Sequence, residues 1–296
     1  MSAVILGFIL TATGTMTDET FEALMAMTYL MIIVPILGSG RSAMLVWNVW
    51  DGRSTIEIKD LPTGTSYPID IGQRVLPGWS VQADERSAIL ELSEPVAPRS
   101  LYHVDLADPG GQPGSTGEPP HRVVGLPEPA LPRERLHRPR FLTYTAPDGV
   151  SLHGLLYRPD QHGPLPTVVL LHGGPESQER PAFSILIQSL VAAGMQVFAP
   201  NVRGSTGYGL TFMGLDDLDR RESSFQDVPA TVTFLVDSGL AAVGRIGVHG
   251  WSYGGYLALV SLTRWPELFR SGSSHAGMSE LASFFAATET WMAAAS

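Results

Sequence analysis

The residues with the clearest chemical potential are Gly250–Gly254, which read Gly-Trp-Ser-Tyr-Gly. A serine between two glycines at this spacing is typical of a nucleophile elbow, a sharp and strained turn from a strand into a helix. The glycines lack the Cβ atoms that would clash where the backbone doubles back. We therefore predict that Ser252 projects into a cleft as the nucleophile of an acyl-transfer reaction. The alternative is a glycine-rich structural turn with an incidental serine.

The flanking sequence favours the elbow over a simple turn. Residues Arg245 to Val248 predict a strand that runs into the motif, and Tyr256 to Thr263 predict a helix that leaves it. At the start of such a helix, the Tyr253 backbone N–H and the helix dipole point at a developing oxyanion. Tyr253 is therefore one predicted oxyanion donor, through its main chain.

A second oxyanion donor is predicted in Leu171–Pro175, which reads Leu-His-Gly-Gly-Pro and follows a continuous apolar run from Thr167. Glycines in such a loop let a backbone N–H approach the substrate oxygen closely, and losing one such donor costs about 3 kcal/mol. We predict the Gly174 N–H as the donor, with the Gly173 N–H as the alternative. A triad base must reach the serine from a separate late loop, so a structural or oxyanion-loop role is expected for His172.

The acid and the base of a triad are harder to find. Hydrolases of this type place them after the nucleophile, first the acid and then the histidine. No Asp follows Ser252, and the later acids and histidine are Glu267, His275, Glu280 and Glu289. Because His275 precedes two of those acids, we expect it to be a buried structural histidine. Without a base the Ser252 hydroxyl is a weak nucleophile, so we expect little activity from this chain.

The sequence around these motifs alternates between strand and helix patterns, which predicts an α/β fold with a parallel sheet. Apolar residues at helical spacing mark two helices between the strands. The predicted elements are a hairpin of Phe141–Thr145 and Leu152–Tyr157, a strand Thr167–Leu171, a helix Pro181–Gly194, a strand Gln196–Pro200, and a helix Asp227–Gly239.

The preceding residues, Ser42 to Leu106, have a different pattern. Short apolar or alternating runs separated by turn formers predict about six strands and no helix. One or two four-stranded propeller blades of about 40 to 45 residues would fit, but a propeller needs at least about four blades to close. We therefore expect that part of the propeller is missing upstream.

The composition divides the chain further. Asp108 to Pro139 is rich in proline and glycine and predicts an interdomain linker. Residues 1–40 hold no Lys or Arg and contain the apolar runs Ala3 to Leu10 and Ala23 to Leu37. The predicted division is thus a leading segment of open role (1–41), partial propeller blades (42–107), a linker (108–139) and a partial hydrolase domain (140–296).

The charge and the missing cysteines exclude several classes of function. A formal net charge of -10 argues against a nucleic-acid surface, and the absence of Cys excludes disulfides and thiolate metal sites. No pattern indicates a cofactor or a metal, and none indicates an oligomeric state. Since the start lacks a basic signal region, a cytoplasmic location is the default. A membrane anchor through Ala23 to Leu37 is the alternative, although that run is short for a spanning helix.

Three motifs in this order resemble the prolyl oligopeptidase family. They are His172–Pro175, Asn201–Gly209 (Asn-Val-Arg-Gly-Ser-Thr-Gly-Tyr-Gly) and Gly250–Gly255, and the likeness is closest to the acylaminoacyl and dipeptidyl peptidase branches. The resemblance covers Arg140 to the C-terminus well and Ser42 to Leu106 loosely. It implies an α/β-hydrolase domain preceded by a β-propeller, and a serine peptidase acting on short peptides whose propeller restricts access. The middle motif would flank the cleft, with Arg203 given no role in substrate contact.

The resemblance leaves other functions open. An esterase shares the elbow and the glycine loop, although the strand-rich N-terminal part argues against it. A catalytically silent hydrolase-like module that uses the cleft for binding would agree with the missing base. We favour a peptidase fragment that lacks part of the propeller at its start and the acid and base at its end.

Overall fold

The computed structural model describes residues 31–36, 42–60, 63–82, 86–106, 120–125, 127, 129 and 131–287. The apolar run Ala3 to Leu10 and the candidate acid Glu289 lie outside these ranges. The chain forms two compact units. The first comprises the described residues up to Pro132 together with 180–184 and 207–210, and the second comprises 133–179, 185–206 and the described residues from 211 onwards.

The first unit contains two four-stranded antiparallel sheets, each formed by strands that are consecutive in the chain. Such four-stranded meanders are the architecture of propeller blades. The first sheet consists of β1 (Met31–Ile36), β2 (Ser42–Asn48), β3 (Ser54–Asp60) and β4 (Ser66–Ile69). The second consists of β5 (Val75–Val81), β6 (Ser87–Glu94), β7 (Ala97–Asp105) and β8 (His121–Gly125).

Two of these strands lie where the sequence did not predict a strand. Strand β1 falls in the apolar run Ala23 to Leu37 and pairs with β2, so the described part of that run is extended and not helical. No helix among the described residues is long and apolar enough to cross a membrane. Strand β8 falls within the predicted linker and pairs with β7, where Val123 and Val124 supply the β-branched residues that strands favour.

The two sheets share one apolar core. In β3 the side chains alternate, with Ile56 and Ile58 buried and their neighbours more exposed, as the alternating sequence predicts. The core consists of Met44, Val46, Ile56, Ile58, Ile69, Ile71, Leu76, Ala88, Leu90, Leu92, Val104 and Leu106.

The second unit is built on a six-stranded sheet with the order β14-β13-β11-β12-β10-β9. Strands β12, β11, β13 and β14 are parallel, and the β9–β10 hairpin adds to them in antiparallel fashion. The predicted α/β class with a parallel sheet is therefore confirmed. The strands are β9 (Arg140–Thr145), β10 (Ser151–Tyr157), β11 (Leu165–Leu171), β12 (Gln196–Asn201), β13 (Ala241–Trp251) and β14 (Ser271–His275).

The helices lie between these strands, except α6, which follows β14. They are α1 (Ile185–Ala192), α2 (Leu210–Met213), α3 (Arg221–Phe225), α4 (Asp227–Asp237), α5 (Tyr253–Arg264) and α6 (Leu281–Ala287). Short 3-10 turns occur at Arg133–Arg135, Gly214–Asp216, Leu218–Arg220 and Pro266–Leu268. The helix predicted from Pro181 begins only at Ile185. Residues 180–184 belong to the first unit, where the Phe183 N–H donates to the Ser93 hydroxyl at 3.0 Å.

The register of the sheet brings the two glycine motifs to one edge. Strands β11 and β13 are parallel neighbours, with Leu171 opposite Gly250. Both motifs follow the carboxyl ends of their strands, and the carboxyl ends of parallel strands lie at the same edge of a sheet, where α/β proteins place their ligand sites. The fold therefore brings the loop after Leu171 beside the turn that contains Ser252.

Replacement of Leu90 by Ala tests the core of the first unit. Leu90 is fully buried, so Leu90→Ala should lower the free energy of unfolding by about 2 to 5 kcal/mol. Leu101→Ala on the neighbouring strand is the matched control, because Leu101 is 40% exposed and should cost much less. Urea denaturation followed by circular dichroism measures both. Equal losses for the two variants would contradict the assignment of this core.

Candidate active site

Ser252 occupies the turn between a strand and a helix. Strand β13 ends at Trp251 and helix α5 begins at Tyr253. Ser252 has φ 52° and ψ −118°, and Ala276 is the other non-glycine residue with a positive φ among those described. Such a conformation costs a residue with a side chain about 1 to 3 kcal/mol and occurs preferentially at functional sites. The backbone at Ser252 is therefore the strained strand-to-helix turn of a nucleophile elbow.

The two flanking glycines are required by the close approach of backbone atoms. A Cβ at Gly250 would overlap the carbonyl oxygen of Gly254. A Cβ at Gly254 would overlap the carbonyl oxygen of Leu171 and would lie 2.5 Å from that of His172. No side chain fits at either position: Gly250 is required by the close approach of the strand to the start of α5, and Gly254 by the packing of the turn against β11.

The Ser252 main chain is fixed on both sides while its hydroxyl is left available. Its N–H donates to the carbonyl oxygen of His275 at 2.9 Å, and its own carbonyl accepts from the Tyr256 N–H at 2.9 Å. The residue is half-buried. Within the described ranges, no side chain forms a hydrogen bond with the Ser252 hydroxyl. The geometry therefore presents a serine oxygen without an attached base.

The two predicted oxyanion donors belong to the start of α5 and to the glycine loop after β11. Tyr253 is the first residue of α5, where backbone N–H groups have no acceptor within the helix. Its ring is buried, burial raises the pKa of the Tyr253 phenol to about 12, and the phenol oxygen lies 3.5 Å from the Ser224 hydroxyl. Gly174 is exposed with φ 142°, and a Cβ on Gly173 would lie 3.4 Å from the Ser252 Cβ. The glycine loop thus passes beside the nucleophile.

His172 does not face the nucleophile. Its Nδ1 lies 2.7 Å from the Gly173 carbonyl oxygen and its Nε2 lies 2.9 Å from the Ser205 hydroxyl. Burial lowers the pKa of His172 although the contact with Gly173 works in the opposite direction. Both ring nitrogens are engaged, which agrees with the predicted structural or oxyanion-loop role.

His275 differs from its predicted environment. It was expected to be buried, but strand β14 is an edge strand of the six-stranded sheet and all five of its residues are exposed. The imidazole stacks on the ring of Trp251 with 4.0 Å between centroids and 19° between planes. Sequence reasoning missed that the His275 carbonyl holds the Ser252 N–H. Because this acceptor is a main-chain carbonyl, the residue types in the sequence could not have predicted it.

Of the late acids, Glu267 and Glu280 lie within the described residues. Glu267 is exposed beyond the C-terminal end of α5, whereas Ser252 lies at its N-terminal end. A helix of 12 residues is about 18 Å long, which is too far for a triad acid, because its hydrogen-bond partner is a base that itself contacts the serine. Glu280 accepts a hydrogen bond from the Ser283 N–H at 2.6 Å at the start of α6.

Arg203, in the middle motif, is a structural residue. Its guanidinium is 4% exposed and contacts Asp227, which is fully buried, at 2.7 Å. It also contacts the half-exposed Asp148 at 2.7 Å, and these hydrogen bonds hold the pKa of the Asp148 carboxyl below its usual range. The Arg203 N–H donates to Asp227 as well, at 2.7 Å. The network fixes the loop after β12 to the start of α4 and to the β9–β10 turn.

Comparison with known proteins agrees with this geometry. Residues 181–296 match the model of the prolyl oligopeptidase family. An uncharacterized peptidase, YuxL, of Bacillus subtilis is 28% identical over 199 residues, which cover 66% of this chain and 29% of the relative. Dipeptidyl peptidase family member 6 of Caenorhabditis elegans is 36% identical over 120 residues, covering 40% of this chain and 16% of the relative.

The fold of this chain is also similar to that of a solved structure. The acylaminoacyl peptidase of Pyrococcus horikoshii superposes with a TM-score of 0.66 at 25% identity, over 84% of this chain and 38% of that protein. The chain thus spans less than half the length of these relatives. The predicted resemblance and the predicted fold class, a hydrolase domain preceded by propeller-like strands, are confirmed.

Replacement of Gly254 by Ala tests the packing of the elbow. The new Cβ would overlap the Leu171 carbonyl, so Gly254→Ala should cost at least about 2 kcal/mol of stability. Gly214→Ala is the control, because its Cβ would meet only the movable Asp217 side chain, at 3.1 Å. Thermal denaturation measures both. A Gly254→Ala protein as stable as the control would show that the turn is not packed in this way.

Replacement of Arg203 by Met tests the buried ion pair. Arg203→Met leaves the buried Asp227 carboxylate without its cationic partner, with only the main-chain N–H of residue 203 as a donor to it, and should cost about 3 to 5 kcal/mol. Arg264→Met is the control, because Arg264 pairs with Glu222 at the surface and should cost at most about 1 kcal/mol. Urea unfolding compares the two. A small loss for Arg203→Met would refute its structural role.

Proposed function

Because residues 181–296 belong to the prolyl oligopeptidase family, we propose that Ser252 is the nucleophile of a serine peptidase that cleaves short peptides through an acyl-enzyme. The observation that carries the proposal is the strained conformation of Ser252 between β13 and α5, with glycines on either side that admit no side chain. Such a strained turn persists only where the surrounding structure holds it in place, and such turns occur preferentially at functional sites.

The proposed reaction begins with attack of the Ser252 oxygen on the carbonyl carbon of the scissile peptide bond. The hydroxyl proton passes to water as the bond forms, and the carbonyl oxygen becomes the oxyanion of a tetrahedral intermediate. The backbone N–H groups of Tyr253 and Gly174 donate to that oxyanion. Collapse of the intermediate expels the amine, which takes up a proton, and leaves an ester on Ser252. Water then hydrolyses the ester and regenerates the hydroxyl.

This reaction needs a proton acceptor beside the Ser252 hydroxyl. No side chain within the described ranges bonds to the Ser252 hydroxyl, and the imidazole of His275 stacks on Trp251 instead. We propose that Ser252, with the described residues alone around it, reacts without the help of a base and therefore slowly. Oxyanion donors alone can retain a rate about 10³ to 10⁴ above that of water when triad residues are removed.

Short peptides are the proposed substrate class. The support is the likeness to proteins named dipeptidyl peptidase and acylaminoacyl peptidase. A second candidate function is a catalytically silent module that binds peptides in the same cleft. The unpartnered Ser252 hydroxyl favours it, and reaction with an electrophile that modifies serine separates the two.

The pH dependence of covalent labelling tests the proposal. We expect an alkyl fluorophosphonate to modify Ser252, with a rate that rises about tenfold per pH unit between about pH 6 and 9, because only the rare alkoxide reacts when no base assists. Added imidazole should accelerate the labelling by supplying the missing base. Peptide mapping by mass spectrometry identifies the modified residue and its rate of formation.

Ser252→Ala should abolish this label, whereas Ser189→Ala, at an exposed position of α1, should leave it unchanged. A plateau near neutral pH would show that the chain supplies a base after all. Labelling spread over surface serines with none on Ser252 would reject the nucleophile and favour the binding module.

A further inference from the structure

We propose that His103 and His121 form a site for a divalent transition-metal ion such as Zn²⁺, which cross-links the last two strands of the second four-stranded sheet. The two residues are register partners across the antiparallel strands β7 and β8. Among the described strands, β8 lies at the edge of its sheet and pairs with β7 alone. The inference is independent of the proposed function, because both histidines belong to the first unit and Ser252 belongs to the second.

The distance between the two imidazole rings matches what a shared metal ion requires. Their centroids are 4.9 Å apart, and their planes are inclined by 40°. A Zn–N bond is about 2.0 to 2.1 Å long and a ring centre lies about 1.1 Å behind the nitrogen, so two rings on one ion have centres about 4.5 to 5.2 Å apart at ligand angles of about 90° to 109°. The observed spacing falls within this range, so the two strands need not move apart to admit an ion.

One nitrogen of the pair lacks a hydrogen-bond partner. His103 Nδ1 is buried from solvent, and no donor or acceptor among the described residues bonds to it. Two imidazoles can also pack at this distance as aromatic rings, but ring packing does not satisfy a buried nitrogen. Buried polar atoms in native structures are nearly always satisfied, and an ion bound at Nδ1 would supply the missing partner.

His121 can complete such a site from the edge strand. The residue is exposed, so its ring is free to turn towards an ion. The neighbouring cation, Arg122, is directed along the strand, because its guanidinium occupies the space that a Cβ on Gly125 would need. That positive charge therefore lies towards the other end of β8 and not between the two imidazoles.

The ligand atoms define the class of metal. Imidazole nitrogens suit Zn²⁺, Cu²⁺ and Ni²⁺, whereas Mg²⁺ and Ca²⁺ prefer oxygen ligands. In the part of the chain that the structure describes, no group of three or more His, Asp or Glu residues is arranged to hold a metal. The protein thus contributes two ligands, and water takes the remaining positions of the ion. The expected role is structural, since an ion held by both strands links β8 to β7.

The spacing of the two histidines hides the site in the sequence. Metal signatures place at least two ligands a few residues apart, whereas His103 lies in a predicted strand and His121 lies in the predicted linker. They meet only because β8 pairs with β7. No motif could therefore have indicated a metal.

Calorimetric titration of the whole, untagged chain with Zn²⁺ tests the site, at about pH 7.5, which is above the ordinary pKa of a histidine. We expect one ion per chain at this site. His121→Phe keeps an aromatic ring at an exposed position but removes the nitrogens, and it should weaken binding about 100-fold, because two linked contacts become one. His162→Phe is the matched control, since His162 is an exposed histidine of the second unit and its loss should leave the affinity unchanged.

His103→Phe and the double variant show whether the two histidines act together. Each single replacement should weaken binding to the same extent, and the double variant should bind little more weakly than either, because one imidazole alone holds the ion poorly. Separate, additive losses would overturn the shared site. Absence of zinc binding, or unchanged binding in His121→Phe, would also overturn it, and the latter result stands even if His103→Phe does not fold.

Amide hydrogen exchange measures the cross-link itself. With free Zn²⁺ at about ten times its dissociation constant, exchange of residues 121–125 should slow about tenfold, because β8 must release the ion before it separates from β7. The same Zn²⁺ concentration should have no effect on these residues in His121→Phe. Zinc binding that leaves their exchange unchanged in the unmodified protein would refute the cross-link. Ser252→Ala should bind Zn²⁺ with the original affinity, so the outcome does not depend on the proposed nucleophile.

Discussion

The start of helix α5 can lie against the end of strand β11 only because Gly254 has no side chain. The Leu171 and His172 carbonyl oxygens occupy the space that a Cβ would need. This contact fixes the distance between the elbow and the glycine loop, since both are attached to neighbouring parallel strands. The strain at Ser252 follows from it, because the chain must turn within one residue from β13 into α5.

The rest of the second unit supports the two sides of this contact. On one side, the His275 carbonyl of edge strand β14 holds the Ser252 N–H. On the other, the loop after β12 holds the glycine segment through Ser205, Thr206 and Asn201. The buried pair of Arg203 and Asp227 secures that loop in turn. Backbone groups carry out the proposed oxyanion chemistry, and side chains mainly set where those groups point.

Much of this arrangement could be predicted from the sequence. The elbow, the glycine loop and the parallel sheet follow from glycine spacing and from apolar runs that are specific to buried strands. The exposure of His275 could not be predicted, because it depends on the position of β14 at the sheet edge. The start of α1 at Ile185 could not be predicted either, because residues 180–184 pack with the first unit and not with the helix. Strand β8 could not be recognised within a proline-rich and glycine-rich segment, because it forms by pairing with β7, which is a tertiary contact.

We propose that Ser252 faces an oxyanion site formed by two main-chain N–H groups. A crystal structure of the chain with a phosphonate bound covalently to Ser252 tests it most directly, because the phosphonyl oxygen takes the place of the oxyanion. We expect that oxygen to lie about 2.7 to 3.1 Å from both the Tyr253 and the Gly174 nitrogens. A phosphonyl oxygen directed to solvent, away from both nitrogens, would contradict the account.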